Sequence, residues 1–163
     1  GIPTFSGDIL SEAAEQRLEL ISYATLVAAT DNDAYNTLVA TDLAPEFGRD
    51  SVFQVMRAKN DSARHQLPRT LGGRKFGVEE THSGLERMIA DGWTFRITRL
   101  TEEYTLEDWR AKRPDAHLFA RIGTNGAIKL IRKDVEVKPA PDVRIIALRP
   151  PGSAEDEQPP ADS

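Results

Sequence analysis

The chain has 163 residues and a mass of 18.1 kDa, enough for one ordinary domain or two small ones and too little for a large multidomain enzyme. Its 21 basic and 26 acidic side chains leave a formal charge of -5, which argues against a protein that lives on nucleic acid. The lack of cysteine excludes disulfide scaffolds, cysteine-ligated zinc, iron-sulfur clusters and thiol catalysis. No apolar run approaches the about 20 residues that cross a bilayer, and no signal peptide is visible. The sequence begins at Gly1 rather than at a methionine, so it reads as a piece of a longer protein.

In chain order, the apolar residues 2–5 end in Ser6-Gly7-Asp8, a combination that closes a strand and opens a helix. Leu10, Ala14, Leu18 and Ile21 then recur at helical spacing, with Glu12, Glu15, Gln16 and Glu19 on the other side, which predicts an amphipathic helix. Residues 24–30 form a continuous apolar run without polar alternation, suited to a strand buried on both faces of a parallel sheet. Asp31, Asn32 and Asp33 offer N-cap side chains for a second helix, whose Tyr35, Val39, Leu43 and Phe47 share one face before Gly48 stops it. Residues 51–56 return as an apolar strand. The alternation of strand and helix predicts right-handed βαβ units and a parallel sheet.

Residues 57–76 carry six basic side chains against the single acid Asp61, with Pro68 and Gly72-Gly73 among them, and read as a basic linker. Residues 83–91 are expected to be helical, capped by Gly92. Trp93, Phe95 and Ile97 alternate with Thr94, Arg96 and Thr98 in the period of a half-exposed strand. Thr105 to Asp108 resembles a capping box with aspartate in the glutamate position, opening a short helix that Pro114 ends. Residues 117–122 and 127–132 flank Gly-Thr-Asn-Gly, a hairpin signal, and 143–148 make a last strand. Residues 150–163 hold proline, small polar residues and the acids Glu155, Asp156, Glu157 and Asp162, the composition of a disordered acidic tail that accounts for most of the negative charge. The chain therefore divides into 1–56, a linker at 57–76, a small antiparallel α+β module at 77–149 and the tail.

His65, His82 and His117 have neither ligand spacing nor adjacent carboxylate clusters, which favours structural or surface roles over metal binding. No GxSxG, HExxH or GxxxxGK[ST] occurs, and the pairs Glu79-Glu80 and Glu102-Glu103 read as solvated acids rather than a general acid and base. No catalytic constellation is visible, so the chain is not expected to be an enzyme. The basic stretch could meet an anion, a lipid headgroup or a partner, although a solvated linker is the more economical reading. Trp93, Phe95 and Trp109 could floor a pocket or simply form core. The best candidate site is Asp8 with Thr30, Asp31, Asn32 and Asn36, because these lie past the carboxyl ends of the expected parallel strands, where open α/β sheets collect ligands. Helix capping accounts equally well for Asp8, Asp31 and Asn32.

These residues carry a resemblance. The stretch GIPTFSGDILSEAAEQRLELISYATLVAATDNDAYNTLVATDLAPEFG resembles the second half of the nucleotide-binding lobe of a regulator of potassium conductance (RCK) domain, a Rossmann-like fold of the Trk type. Gly7, Asp8, Leu18, Ala24, Thr30, Asp33 and Asn36 stand at positions matching the family pattern, while Ile9 replaces the usual small alanine. GWTFRITRLTEEYTLEDWR at 92–110 and VRIIAL at 143–148 are similar to the cytoplasmic tail of bacterial monovalent cation:proton antiporters of the sodium/proton exchanger type.

The resemblance implies a partial Rossmann-like βαβαβ half-lobe and regulation rather than catalysis. NAD or another adenine nucleotide would bind the full-length lobe and bias Na+ or K+ transport by an attached transmembrane antiporter domain, at the cytoplasmic face of the inner membrane. Asp8 would lie by the adenosine, and Thr30, Asp31 and Asn32, with Asn36 behind them, at the mouth of the crevice. The family's GxGxxG, its first two strands and its acidic ribose contact would precede Gly1, so tight binding by this chain alone is not expected. A homodimer is expected, as is association through the sheet edge that missing strands would otherwise cover. A free-standing regulatory subunit of a Trk-type potassium uptake system and a remnant of an NAD-dependent oxidoreductase are the alternatives.

Overall fold

The computed structural model describes residues 4, 6–11, 23–58, 71–75, 78–132 and 142–152. Most of the strand expected at 2–5, most of the first helix, His65, the middle of the basic stretch and the tail from residue 153 lie outside the described residues. The fold is α/β. It divides into two units, Gly1–Lys75 and Phe76–Ser163, the first holding a three-stranded sheet and the second a four-stranded one. Among the described residues no helix is long and apolar enough to cross a membrane.

In the first unit, β1 (Leu26–Ala28), β2 (Val52–Gln54) and β3 (Arg74–Lys75) pair in parallel in the order β1-β2-β3. Between β1 and β2 run α1 (Asp33–Asp42), α2 (Ala44–Phe47) and a 3-10 turn at Arg49–Ser51. One helix was expected across this span. The chain breaks it at Leu43 because Pro45 has no amide hydrogen to give the Thr41 carbonyl and its ring would crowd that group. At the start of α2 the missing donor costs nothing. Ala28, Ala40 and Val52 form the buried centre, with Leu26, Ala44 and Phe47 packed against it. All three residues of β2 are buried, as befits the central strand of a parallel sheet.

The sequence reading has no strand at Arg74–Lys75. Its place is set by polar side chains instead of apolar pattern. Gln54, 4% exposed, accepts from the Gly73 amide at 3.2 Å through Oε1 and donates through Nε2 to Thr37 Oγ1 at 3.1 Å. The Gly72 amide donates to Thr41 Oγ1, Arg57 donates to the Leu71 carbonyl, and Arg74 pairs with Asp50 at 2.8 Å. A Cβ on residue 73 would sit 2.6 Å from the carbonyl carbon of Phe53, so glycine is what lets the two backbones meet.

In the second unit, α3 (His82–Ala90) is capped by Thr81, whose hydroxyl accepts from the Gly84 amide. It ends at Gly92, φ +89°. The sheet order is β4-β7-β5-β6, all antiparallel, from β4 (Thr94–Arg99), β5 (His117–Ile122), β6 (Ile128–Leu130) and β7 (Arg144–Arg149). β4 is an edge strand, and only Thr98 along it is buried. The hairpin from β5 to β6 turns through Thr124 to Gly126, with Gly123 accepting from the Gly126 amide and donating to the Ala127 carbonyl. Gly126 takes the left-handed residue, φ +79°. A type I turn with a glycine bulge therefore stands where Asn125-Gly126 also suits a tighter two-residue loop.

Helix α4 (Leu106–Lys112) opens on the expected capping box: Thr105 Oγ1 accepts from the Asp108 amide and Asp108 Oδ2 from the Thr105 amide. It lays Leu106 and Trp109 on Ile145 and Ala147 of β7, with Leu100 completing the buried cluster and Tyr104, Ala116 and Leu118 around it. By the two-residue period of a strand, Arg149 continues the row Ile145-Ala147, and it is 3% exposed.

Candidate functional site

The five expected site residues gather where β1 hands over to α1. Beyond Ala28 the chain leaves the sheet through Thr30, Asp31 and Asn32. Asn32, in extended backbone with φ -102° and ψ 98°, caps α1 by accepting from the Tyr35 amide at 3.0 Å. One turn on, Asn36 is 1% exposed and its amide group closes back on Thr30. Asn36 Oδ1 accepts from the Thr30 amide at 2.9 Å and from its hydroxyl at 2.7 Å, while Nδ2 donates to the Thr30 carbonyl at 2.8 Å. The Asn32 amide donates to Thr30 Oγ1 at 3.2 Å. Asn36 is thus committed to holding the strand end against the helix, and Thr30 is the group it holds.

Asp8 reaches this corner through a residue that sequence reasoning placed on the apolar face of the helix. Tyr35 donates its hydroxyl hydrogen to Asp8 Oδ1 at 2.6 Å and accepts from the Ile9 amide at 3.2 Å. Leu10 adds a backbone donor to the same Asp8 oxygen at 3.0 Å. Asp33, at the first position of α1, accepts from the Ala58 amide at 2.8 Å through Oδ2, tying the segment after β2 to the same corner. Asp31 is exposed beside them.

These bonds set the electrostatics. The Tyr35 hydroxyl, and next the Leu10 amide, hold the Asp8 carboxyl below its ordinary range, and the same bond to Asp8 raises the Tyr35 phenol. A depressed carboxyl contributes stability above its unfolded value, about 3.9, that is lost as pH falls through the lower folded value. A raised phenol contributes below about 10, and that is lost as pH rises through the higher folded value. The Asp8 carboxyl carbon, followed by NMR, is expected to titrate below ordinary aspartates, and Tyr35→Phe to return it upward. An unchanged midpoint in Tyr35→Phe would show that the contact does not form in solution.

The corner is rich in acceptors. Asp8 and Asp31 present carboxylates and Asn32 an amide on an exposed rim, beside the partial positive charge at the start of a 10-residue helix. Carboxylates at such a rim suit hydroxyl groups, such as those of a sugar, better than phosphates.

The remaining expected groups lie elsewhere. His82 opens α3 with Nδ1 3.5 Å from Glu86 Oε2, and His117 packs its ring on Trp93 with centroids 5.4 Å apart. Trp109 is core, whereas Phe95 is 48% exposed and meets Phe119 edge-on at 5.1 Å. Among the described residues, no three His, Asp or Glu side chains converge as a metal would require. No model of a known protein family matches the chain, and no curated protein sequence matches it either.

Proposed function

We propose that the chain is part of the cytoplasmic regulatory region of a monovalent cation:proton antiporter, its first unit being the second half of a Rossmann-like, RCK-type lobe. In this reading the corner formed by Asp8, Thr30, Asp31 and Asn32 receives the adenosine end of NAD or a related nucleotide. The observation that carries it is the parallel order β1-β2-β3 with an acceptor-rich corner at the carboxyl end of β1, the place where doubly wound sheets collect ligands. Acceptors there suit the sugar hydroxyls of such a nucleotide, whose phosphates the glycine-rich loop of an RCK-type lobe would hold. Regulation then requires that nucleotide bind the two transport states with different affinity.

The test is calorimetric titration of NAD, ATP and AMP into the protein with its upstream residues and into the 163-residue chain. One of the three is expected to bind the longer protein at least about tenfold tighter, since the phosphate cradle contributes charge-assisted bonds. Asp8→Asn in the longer protein is expected to weaken that ligand severalfold without changing which nucleotide is preferred. Equal affinity in both proteins, or no effect of Asp8→Asn, would overturn the assignment of the corner. Upstream residues without hydrophobic spans would overturn the antiporter.

A further inference from the structure

Asn125 is the one asparagine of the chain that a glycine follows, and it is exposed at the tip of the hairpin between β5 and β6. A main-chain nitrogen reaches the Cγ of the preceding asparagine only where its own residue leaves room, which glycine does with no Cβ and a free choice of φ. Gly126 stands at φ +79°, and a Cβ added there would meet nothing within 4 Å. We propose that Asn125-Gly126 is a modification site, deamidated through attack of the Gly126 nitrogen, and that the hairpin turn gates the reaction. In that step the nitrogen bonds to Asn125 Cγ and gives up its proton, while the Cγ–Nδ2 bond breaks and Nδ2 takes a proton and leaves as ammonia. Water then opens the imide ring, at Cγ to give aspartate or at the main-chain carbonyl to give isoaspartate. The proposal concerns the second unit and does not depend on the nucleotide reading.

The closed turn engages both reacting groups. The Gly126 N–H donates to the Gly123 carbonyl at 2.9 Å, and Asn125 Oδ1 accepts from the Ala127 amide at 3.1 Å. The first bond keeps the proton on the nitrogen that has to attack, and the second holds the side-chain amide towards Ala127. The Gly123 amide, donating to the Ala127 carbonyl at 2.9 Å, closes the loop beneath them. Attack therefore waits for the turn to open. Opening is accessible, because the turn is exposed and β6 is a three-residue strand at the edge of its sheet, which belongs to the low-stability end of a fold. The two products differ in effect. Aspartate keeps an acceptor for the Ala127 amide. Isoaspartate adds an atom to the main chain between Gly123 and Gly126, and loop length sets hairpin register, so the pairing of Ile122 with Ile128 is lost.

The experiment incubates the 163-residue chain at pH 8, folded and in guanidinium chloride, and follows deamidation by mass spectrometry of the tryptic peptide 122–129. Asn125 is expected to react at least about tenfold more slowly in the folded chain, the penalty of opening the turn. Thr124→Pro places proline at the turn position it prefers and leaves both reacting groups unchanged. It is expected to slow the folded chain a further about twofold to fivefold, by restricting the open turn, and to change nothing in denaturant. In the purified isoaspartyl form the Ile131 amide, which donates to the Phe119 carbonyl at 3.0 Å, is expected to lose about tenfold in exchange protection. No reaction at Asn125 in denaturant overturns the site, as does a folded chain still unmodified after about a thousand half-lives of the unfolded one. Equal rates in the two states, or a Thr124→Pro effect of the same size in both, overturn the gate.

Discussion

Replacing Trp109 by alanine is expected to remove about 3–5 kcal/mol from the second unit, the range for emptying a buried aromatic site. The side chain is 1% exposed and is the largest member of the cluster it forms with Leu100, Leu106, Ile145 and Ala147. It is also the main anchor of α4, which has only seven residues and too few turns to persist without packing. A loss of that size is a large part of the about 5–15 kcal/mol that holds a domain together. The measurement is hydrogen exchange at the Ile145 and Ala147 amides, whose protection should fall at least about a hundredfold. Trp109→Phe keeps a ring in the site and is expected to cost less than half as much. A Trp109→Ala protein within about 1 kcal/mol of the parent would mean that α4 is not held by this contact.

What the sequence disclosed and what it hid follow from the range of each interaction. The Thr105 capping box and the Gly48 and Gly92 stops are decided within four residues of chain, and the structure has them where the pattern put them, while of the three cap candidates Asp31, Asn32 and Asp33 it takes Asn32. The parallel pairing of β1 with β2 followed from a continuous apolar run on each side of a helix. Tyr35 shows the opposite case. Its ring belongs to the helix face with Val39 and Leu43, so periodicity classed it as core, while its hydroxyl bonds to Asp8, 27 positions earlier. No local pattern contains that pair. The strand at Arg74–Lys75 was hidden for another reason: two exposed basic residues have no periodicity, and the usable signal was Gly72-Gly73, glycines where one backbone approaches another. Arg149 fell just past the apolar run expected as the last strand, 143–148, although its parity places it on the core row.

Asn36→Asp is expected to cost about 3 kcal/mol or more at pH 8, and clearly less at pH 4. The wild-type amide accepts twice from Thr30 and donates once to its carbonyl, in a site 1% exposed. A carboxylate can keep both acceptor bonds but turns its second oxygen on the Thr30 carbonyl, and burial opposes its charge. The folded state therefore favours the protonated acid, which can donate to that carbonyl, and the introduced group titrates above its unfolded value of about 3.9. Below that value the deficit is smallest; it grows as pH rises towards the folded value and then levels off. Asn36→Ala removes all three bonds at once and strands the Thr30 amide and carbonyl, so its deficit is expected to be independent of pH. Urea unfolding of both variants against the parent at the two pH values measures the difference. An Asn36→Asp deficit that is the same at pH 4 and pH 8 would show that the donated bond to Thr30 is not formed. A deficit that tracks pH as described establishes Asn36 as the residue that positions Thr30 at the end of β1.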